Sequence, residues 1–437
     1  MTSDLAQYDE AYVWVWLPGL TEPVVAGRLS AQGSVIHFNY GKSYLERFEA
    51  VPLYLPELPL QAGELPLLAG LQMPGSIRDA APDAWGRRVI LNHKFGLKGG
   101  DLDGVELPEL AFFLESGSDR IGALDFQKSP TDYQPRSQPN ATLEELLESA
   151  QRVDKGIPLT AELDNALHRG SAIGGARPKA LVEDGEKKYV AKFSASSDIY
   201  SVVKAEFVAM HLASLCGINA APVTLVSASG KDVLLVERFD RVKLDNGWQR
   251  KMMVSALTIL GLDEMMAPYA SYPELADAIR HRFTDPQPTL RELFSRIVFN
   301  VLCSNLDDHA RNHAAFWDGQ ALTLSPAYDI CPQSRTGQEA THAMLITEDK
   351  RYSRISTCID AASHFLLSRR DAIEIAEAQV ICIGENWQNV CDQAQLGLAE
   401  RNLFWGRQFL NPYAFTSLDG VADTLSRLGE DLTRSAR

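Results

Sequence analysis

The stretch Asn305-Leu306-Asp307-Asp308-His309-Ala310-Arg311-Asn312, followed by Leu324-Ser325-Pro326-Ala327-Tyr328-Asp329, decides how the rest of this 437-residue chain is read. Asp307 and Asn312 stand at D-x-x-x-x-N spacing, and a second acid, Asp329, closes the next apolar run. Such a set suits phosphoryl transfer. One carboxylate accepts the proton of an attacking hydroxyl, while an amide and a second carboxylate offer Mg2+ the hard oxygen ligands it takes. The same segment admits a metal-hydrolase reading, because Asp307, Asp308, His309 and His313 cluster tightly. If it is helical, His309-x-x-x-His313 puts two imidazoles on one face. Against that reading, the zinc motif H-E-x-x-H is not matched, position 310 being Ala.

Working upstream, four features fall in an order that fits nucleotide binding. Gly174-Gly175-Ala176-Arg177-Pro178-Lys179 pairs two glycines with basic residues, so backbone N–H groups can approach phosphate oxygens. The same glycines also suit an ordinary turn. Lys192 lies in the strand-like run Val190-Ala191-Lys192-Phe193, where it reaches phosphates if it faces inward and guards an edge if it faces out. Glu206, in the following helical segment, is either its ionic partner or a solvated carboxylate. Val236-Glu237-Arg238-Phe239-Asp240-Arg241 is either a hinge pairing with an adenine edge or a strand end carrying ion pairs. The Walker A motif and the kinase signatures H-R-D, D-F-G and A-P-E are absent.

The remaining pattern divides the chain. At roughly 150 residues per domain, about three folding units are expected. Residues 1–135 are β-rich, with Tyr12-Val13-Trp14-Val15-Trp16-Leu17, Val24 to Leu29 and Val35 to Tyr40 as strands. Lys128 to Asn140 holds three prolines and reads as an exposed linker, after which Thr142-x-x-Glu145 opens a helix with a capping box. Residues 136–250 carry a hairpin at Asp184-Gly185 and an amphipathic helix from Lys204 to Cys216 closed by Gly217. Residues 251–437 are mainly helical.

Composition narrows the function classes. Apolar residues make up 45 % and charged residues 23 %, as in ordinary globular chains. No apolar run is long enough to span a membrane, and the N-terminus lacks a secretory pattern, so a cytoplasmic location is expected. Six scattered cysteines with no C-x-x-C pair suit free thiols. With 42 basic and 57 acidic residues, the net charge of −15 disfavours direct capture of nucleic acid, so any link to DNA is expected through a basic partner.

In these motifs the chain resembles the HipA family of bacterial serine/threonine kinases, the toxin half of HipBA toxin–antitoxin pairs. The likeness runs through Pro82-Asp83-Ala84-Trp85-Gly86-Arg87-Arg88, Asp119-Arg120-Ile121-Gly122-Ala123-Leu124, the glycine-rich loop, Val236 to Arg241, Asp307 to Asn312 and Ser325 to Asp329. The resemblance implies an α/β (α+β) architecture: a bilobed, phosphoinositide-kinase-like fold with an N-terminal β-rich subdomain. It implies ATP and Mg2+ as cofactors, Asp307 as catalytic base, and Asn312 and Asp329 as metal ligands. It also assigns Gly174, Gly175, Ala176, Arg177, Pro178, Lys179 and Lys192 to the phosphates, and Glu237, Arg238 and Phe239 to the adenine hinge. His309, Ala310, Arg311, Asn312, Tyr328 and Asp329 would complete the nucleotide pocket. The partners implied are a small helix-turn-helix antitoxin carrying operator DNA and a protein substrate, with an aminoacyl-tRNA synthetase suggested by family analogy. A small-molecule or lipid kinase and a pseudokinase co-repressor stand as alternatives. Two departures matter: Ala172 occupies the place of a serine that some members autophosphorylate, with Ser171 one residue earlier, and Arg311 stands where some members have lysine.

Overall fold

The computed structural model describes residues 8–95, 107–136, 141–155, 157, 159, 175–195, 198–334, 339–418 and 423–435. The chain forms two compact units. The first comprises 1–198, 226–254 and 316–320, and the second comprises 199–225, 255–315 and 321–437. The β-rich segment and most of the mixed segment expected from the sequence thus lie in the first unit.

The first unit opens with strands β1 (Glu10–Val15), β2 (Val24–Gln32), β3 (Val35–Tyr40) and β4 (Leu124–Gln127), paired antiparallel in the order β3-β2-β1-β4. Alternation sets the buried face: Ile36, Phe38 and Tyr40 are buried, while the residues between them are less so. Gly27 is required where β2 passes β3, because a Cβ there would lie 2.1 Å from the Asn39 carbonyl oxygen. The proline-rich connection is largely exposed over its described residues, as expected, but two of its side chains are anchored. Up to Arg136 it is fastened to this sheet. Tyr133 packs on Trp14 and Trp16 at 5.3 and 5.6 Å, and Arg136 pairs with Asp125 at 3.0 Å. An aromatic ring and a guanidinium among the prolines find an apolar wall and a buried carboxylate, which outweighs the local turn signal. Residues 137–140 lie outside the described residues.

A second antiparallel arrangement contains β5 (Lys179–Glu183), β6 (Lys188–Phe193), β7 (Val223–Ala228) and β8 (Lys231–Glu237), in the order β5-β6-β8-β7. The hairpin turns at Asp184-Gly185 as expected, with the Lys187 N–H donating to Asp184 Oδ1 at 2.9 Å. Two helices pack on this sheet, α1 (Ala84–Phe95) and α2 (Leu143–Asp154). Their Trp85, Val89, Leu146, Leu147, Ala150 and Val153 join Ala180, Ala191, Phe193 and Val233 in one apolar cluster. Each large side chain so buried contributes about 1.5–3 kcal/mol. The capping box at Thr142 and Glu145 is formed.

The second unit is mainly helical. Helix α3 (Val202–Leu215) ends at Cys216, with Gly217 at φ +82°, the left-handed stop expected there. Helices α4 (Pro286–Leu302) and α5 (Arg369–Gln393) pack together, and α5 also lies against α3. No helix among the described residues is long and apolar enough to cross a membrane.

Candidate active site

In the second unit, α4 ends at Leu302 and Ser304 takes φ +53°, turning the chain into 305–312. This segment is a run of turns, not a helix. The His309 N–H donates to the Asp307 carbonyl at 2.8 Å, the Asn312 N–H donates to the His309 carbonyl at 2.8 Å, and Asn312 Nδ2 reaches the Asp307 carbonyl at 3.2 Å. The helical face that would have paired His309 with His313 in a zinc site therefore does not form. His313 instead places Nε2 3.0 Å from Asp308 Oδ2.

The adjacent acids are sorted by this turn. Asp307 is exposed. Partial desolvation raises its carboxyl; His309 opposes this, but Asp329 and Asp308 add to it, and the net shift is upward. Asp308 is 2 % exposed and accepts hydrogen bonds from Tyr272 Oη, Asn300 Nδ2 (2.7 Å) and His313. Burial alone would raise this carboxyl, but His313 and Tyr272 hold it below the usual range. Asp308 thus braces the loop from behind, a role hidden in the sequence because its partners lie on other elements. Asp308→Asn is expected to lower stability by about 1.5–3 kcal/mol, the worth of hydrogen bonds to a charged group. An unchanged urea midpoint would contradict that assignment.

Asp329 also sits on a built corner. Asn219 and Ala221 clasp Ala327, with N–H to O distances of 2.7 and 2.8 Å, and Arg296 donates to the Ser325 carbonyl at 2.9 Å. Tyr328 Oη donates to the Arg311 carbonyl at 2.7 Å, tying this corner to the 305–312 loop. Asp329 itself takes φ +58°, a conformation that few non-glycine residues adopt. Arg311 turns its side chain to Glu264, and the buried Ala310 accepts from the Leu257 N–H at 3.2 Å. His309 is half-buried, and Nδ1 of its ring has no hydrogen-bond partner among the described residues. The donor set suits Mg2+: oxygen ligands predominate, and a divalent cation would relieve the mutual repulsion of Asp307 and Asp329.

The first unit holds the remaining expected residues. Lys179 and Lys192 are directly opposite each other across β5 and β6, on one face. Like charges so placed are unfavourable unless an anion lies near them. Lys179 is buried and folds back over Gly175: a Cβ at Gly175 would meet its Nζ at 2.0 Å. Trp85 braces this loop, its N–H donating to the Gly175 carbonyl at 3.3 Å and its Nε1 to the Lys179 carbonyl at 3.0 Å. Here the Pro82-to-Arg88 motif meets the glycine-rich loop, a link that sequence order alone did not reveal. Ala176 and Arg177 are exposed, Arg177 pairing with Asp198 at 2.7 Å, and the Pro178 carbonyl accepts from the Phe193 N–H at 3.0 Å. Gly174, Ser171 and Ala172 lie outside the described residues.

The 236–241 segment carries the ion pairs that are one of its two readings. Glu237 ends β8 and pairs with Lys187 at 2.6 Å, and Phe239 stands edge-on to Phe316. The Arg238 guanidinium is 1 % exposed and wholly engaged: with Asp240 (2.9 and 2.8 Å), Asp119 (2.9 Å) and the Arg120 carbonyl (2.6 Å). Arg241 makes a parallel set of bonds to Asp240, Asp119 and the Gly122 carbonyl. Two charged motifs, Asp119-Arg120 and Arg238-to-Arg241, are therefore halves of one buried network. That leaves the Arg238 side chain no free donor for a nucleotide, and only backbone groups of the segment could serve as a hinge.

The fold is a mixed one of helices and antiparallel strands, with the 305–312 loop and the Asp329 corner tied together in the second unit. Residues 171–387 match the model of the HipA-like C-terminal domain, so the chain carries a domain similar to that family's. Across 207 residues it is 24 % identical to the serine/threonine-protein kinase toxin HipA of Shewanella oneidensis, covering 42 % of this chain and 48 % of that protein. Across 127 residues it is 28 % identical to Y4mE of Sinorhizobium fredii, provisionally named a kinase, covering 28 % of this chain and 30 % of that one. The chain thus matches less than half the length of these curated relatives. In fold it is similar to the structure of the Shewanella oneidensis HipA, HipB and operator DNA complex, with a TM-score of 0.63 at 19 % identity over 97 % of this chain and 96 % of that one.

Proposed function

We propose that this protein is an ATP- and Mg2+-dependent serine/threonine protein kinase acting as a bacterial toxin. The observation that carries the reading is the sorting of the 305–312 loop, with Asp308 buried as a brace, Asp307 exposed, and the Asp329 carboxylate close enough to raise it. Asn312 and Asp329 would hold Mg2+, which when bound neutralises charge on the transferred phosphate. Asp307 would orient the attacking hydroxyl and take its proton as the bond forms. In the first unit, Lys179 and Lys192 would bind the phosphates, with Gly174 to Lys179 as the loop around them, and backbone groups of 237–239 would meet the adenine edge. The sheet and helix packing that hold these groups still supply positioning, the larger part of what phosphoryl transfer asks of a protein.

The regulatory partner supported by the family is a small helix-turn-helix antitoxin that carries operator DNA, neutralises the kinase and acts in the cytoplasm. The net charge of −15 favours docking on such a basic partner. The lone chain is expected to leave operator DNA unshifted at physiological salt and to join the shifted complex when the antitoxin is added. Tight, salt-sensitive binding by the lone chain would overturn that view. An aminoacyl-tRNA synthetase is the substrate that family analogy favours. Quantitative phosphoproteomics after brief induction tests the reading, with a new phosphoserine or phosphothreonine on a cellular protein as the expected result. Absence of any new protein site, with phosphate appearing on a lipid or metabolite, would favour the small-molecule alternative.

A further inference from the structure

Among the described residues, Met265-Met266-Ala267-Pro268-Tyr269 is the one stretch where three exposed large apolar side chains fall within five positions: Met265 is 84 % exposed, Tyr269 64 % and Met266 44 %. It lies in the second unit, with the 305–312 loop. The Met266 N–H donates to Asp263 Oδ1 at 2.8 Å and the Tyr269 N–H to the Met266 carbonyl at 2.9 Å, closing a 3-10 turn over Ala267–Tyr269. This turn is fastened to the loop on both sides of Asp307. On one side Glu264 pairs with Arg311, the neighbour of Asn312, whose Nδ2 touches the Asp307 carbonyl. On the other, Arg351 donates to the Pro268 carbonyl at 2.7 Å and to the Ala343 carbonyl at 2.9 Å, and the Ala343 N–H donates to the Leu306 carbonyl at 3.0 Å. The acids beside the strip are already engaged, Asp263 with the Met266 N–H and Glu264 with Arg311, so what the strip offers outward is apolar. Methionine and tyrosine are side chains that interfaces favour, the thioether chain because it adapts to varied surfaces.

We propose that Met265, Met266 and Tyr269 form a docking strip for the substrate segment that carries the phosphoacceptor, and that the strip selects apolar side chains flanking that serine or threonine. The inference rests on the kinase reading for what the segment brings to Asp307. A hydroxyl that gives its proton to Asp307 must lie within hydrogen-bond reach of that carboxylate. The residues on either side of the hydroxyl then cross whatever surrounds Asp307, and three residues of extended chain cover about 10 Å. The strip, held at Leu306 and at Arg311, is part of that surround. Its fastening on both sides of Asp307 favours a phosphoacceptor segment over a second copy of this chain as the occupant. Covering the three side chains takes apolar surface out of water, which favours a segment that is apolar in return. That contact is the same before and during phosphate transfer, so it acts on KM and leaves kcat nearly unchanged.

The test uses the full chain with Mg-ADP and two short fluorescein-labelled peptides, each with a central serine, flanked by leucines in one and by glutamines in the other. Fluorescence anisotropy is expected to show the leucine peptide bound on the order of tenfold more tightly. The variant carrying Met265→Ser, Met266→Ser and Tyr269→Ser together should lose that preference while keeping the wild-type circular dichroism and Mg-ADP affinity. Phe48→Ser, at a fully exposed apolar residue of the first unit, should keep the preference. Equal affinity for the two peptides in the wild type, binding of neither, an unchanged preference in the triple variant, or an equal loss in Phe48→Ser would each overturn the proposal. Self-association that the triple variant abolishes, with no peptide preference, would assign the strip to a second copy instead. With ATP in place of ADP, phosphate on the serine of the leucine peptide, at a raised KM and similar kcat in the triple variant, is the expected result. Strip-dependent binding without phosphate on the serine counts against the kinase reading and leaves the strip a peptide-binding surface. Phosphate on the serine without strip dependence overturns the strip and leaves the kinase reading standing.

Discussion

Replacing Asp307 by Asn is expected to lower phosphoryl transfer by on the order of 10²-fold or more, the usual contribution of a positioned general base being about 10²–10⁴. The substitution keeps the size of the side chain and removes the proton acceptor. Asp307 is exposed and its side chain makes no hydrogen bond among the described residues, so the variant should unfold at the wild-type midpoint. Affinity for Mg-ATP should change little, because the groups assigned to the phosphates and the metal remain. The neighbouring Asp308→Asn separates the two roles. It removes a charge that Tyr272, Asn300 and His313 all address, and its loss of activity should follow its loss of stability. Equal activity losses from the two variants at full folding would mean that the D-x-x-x-x-N register is misassigned.

The largest expected effect on stability comes from Asp240→Asn. Its carboxylate is 3 % exposed and receives Arg238 and Arg241, each at 2.8 Å, with the Gly122 N–H at 2.8 Å. Both guanidinium side chains are 1 % exposed. Removing one partner strands buried charge, which typically costs about 3–5 kcal/mol. Asp119 remains to hold the two arginines, so the lower end of that range is expected. Burial by itself would raise the Asp240 carboxyl, yet Arg238 and Arg241 pull it down to about 2. Its ordinary value is about 3.9. The folded form therefore binds fewer protons than the unfolded one between these values, and stability from this group is full above about pH 4 and lost as pH falls toward 2. Asp240→Asn should flatten that part of the acid limb as well as lower the plateau. Chemical unfolding at neutral and acid pH reads both, and a wild-type plateau would remove the network from any structural role.

How far the chain could be read without coordinates depended on the sequence separation of the partners. The β1 to β3 strands, the Thr142 capping box and the Asp184-Gly185 hairpin rest on neighbours a few residues away, and each formed where its local pattern put it. Counting outward from that hairpin also sets Lys179 opposite Lys192, as the strands pair. Val236 to Arg241 reads equally as a hinge or as a strand end with ion pairs, and the family resemblance alone favours the hinge for Arg238, whose side chain is in fact ion-paired. Its partner Asp119 lies 119 residues away, beyond any local pattern. The bracing role of Asp308 is hidden for the same reason: its bonds go to Tyr272, Asn300 and His313, the first two on other elements. Lys128 to Asn140 reads as an exposed linker, and its described part is largely exposed; what proline hides is that Tyr133 and Arg136 anchor it to Trp14, Trp16 and Asp125 of the first sheet.

The central claim is that the Asp307, Asn312 and Asp329 loop transfers phosphate to a hydroxyl, and its most direct test is incubation of the purified chain with γ-labelled ATP, with Mg2+ present or chelated, followed by phosphoamino-acid identification. Label on serine or threonine, dependent on Mg2+ and lost in Asp307→Asn, is the expected result. Label released only as inorganic phosphate, or transferred equally well by Asp307→Asn, would contradict it.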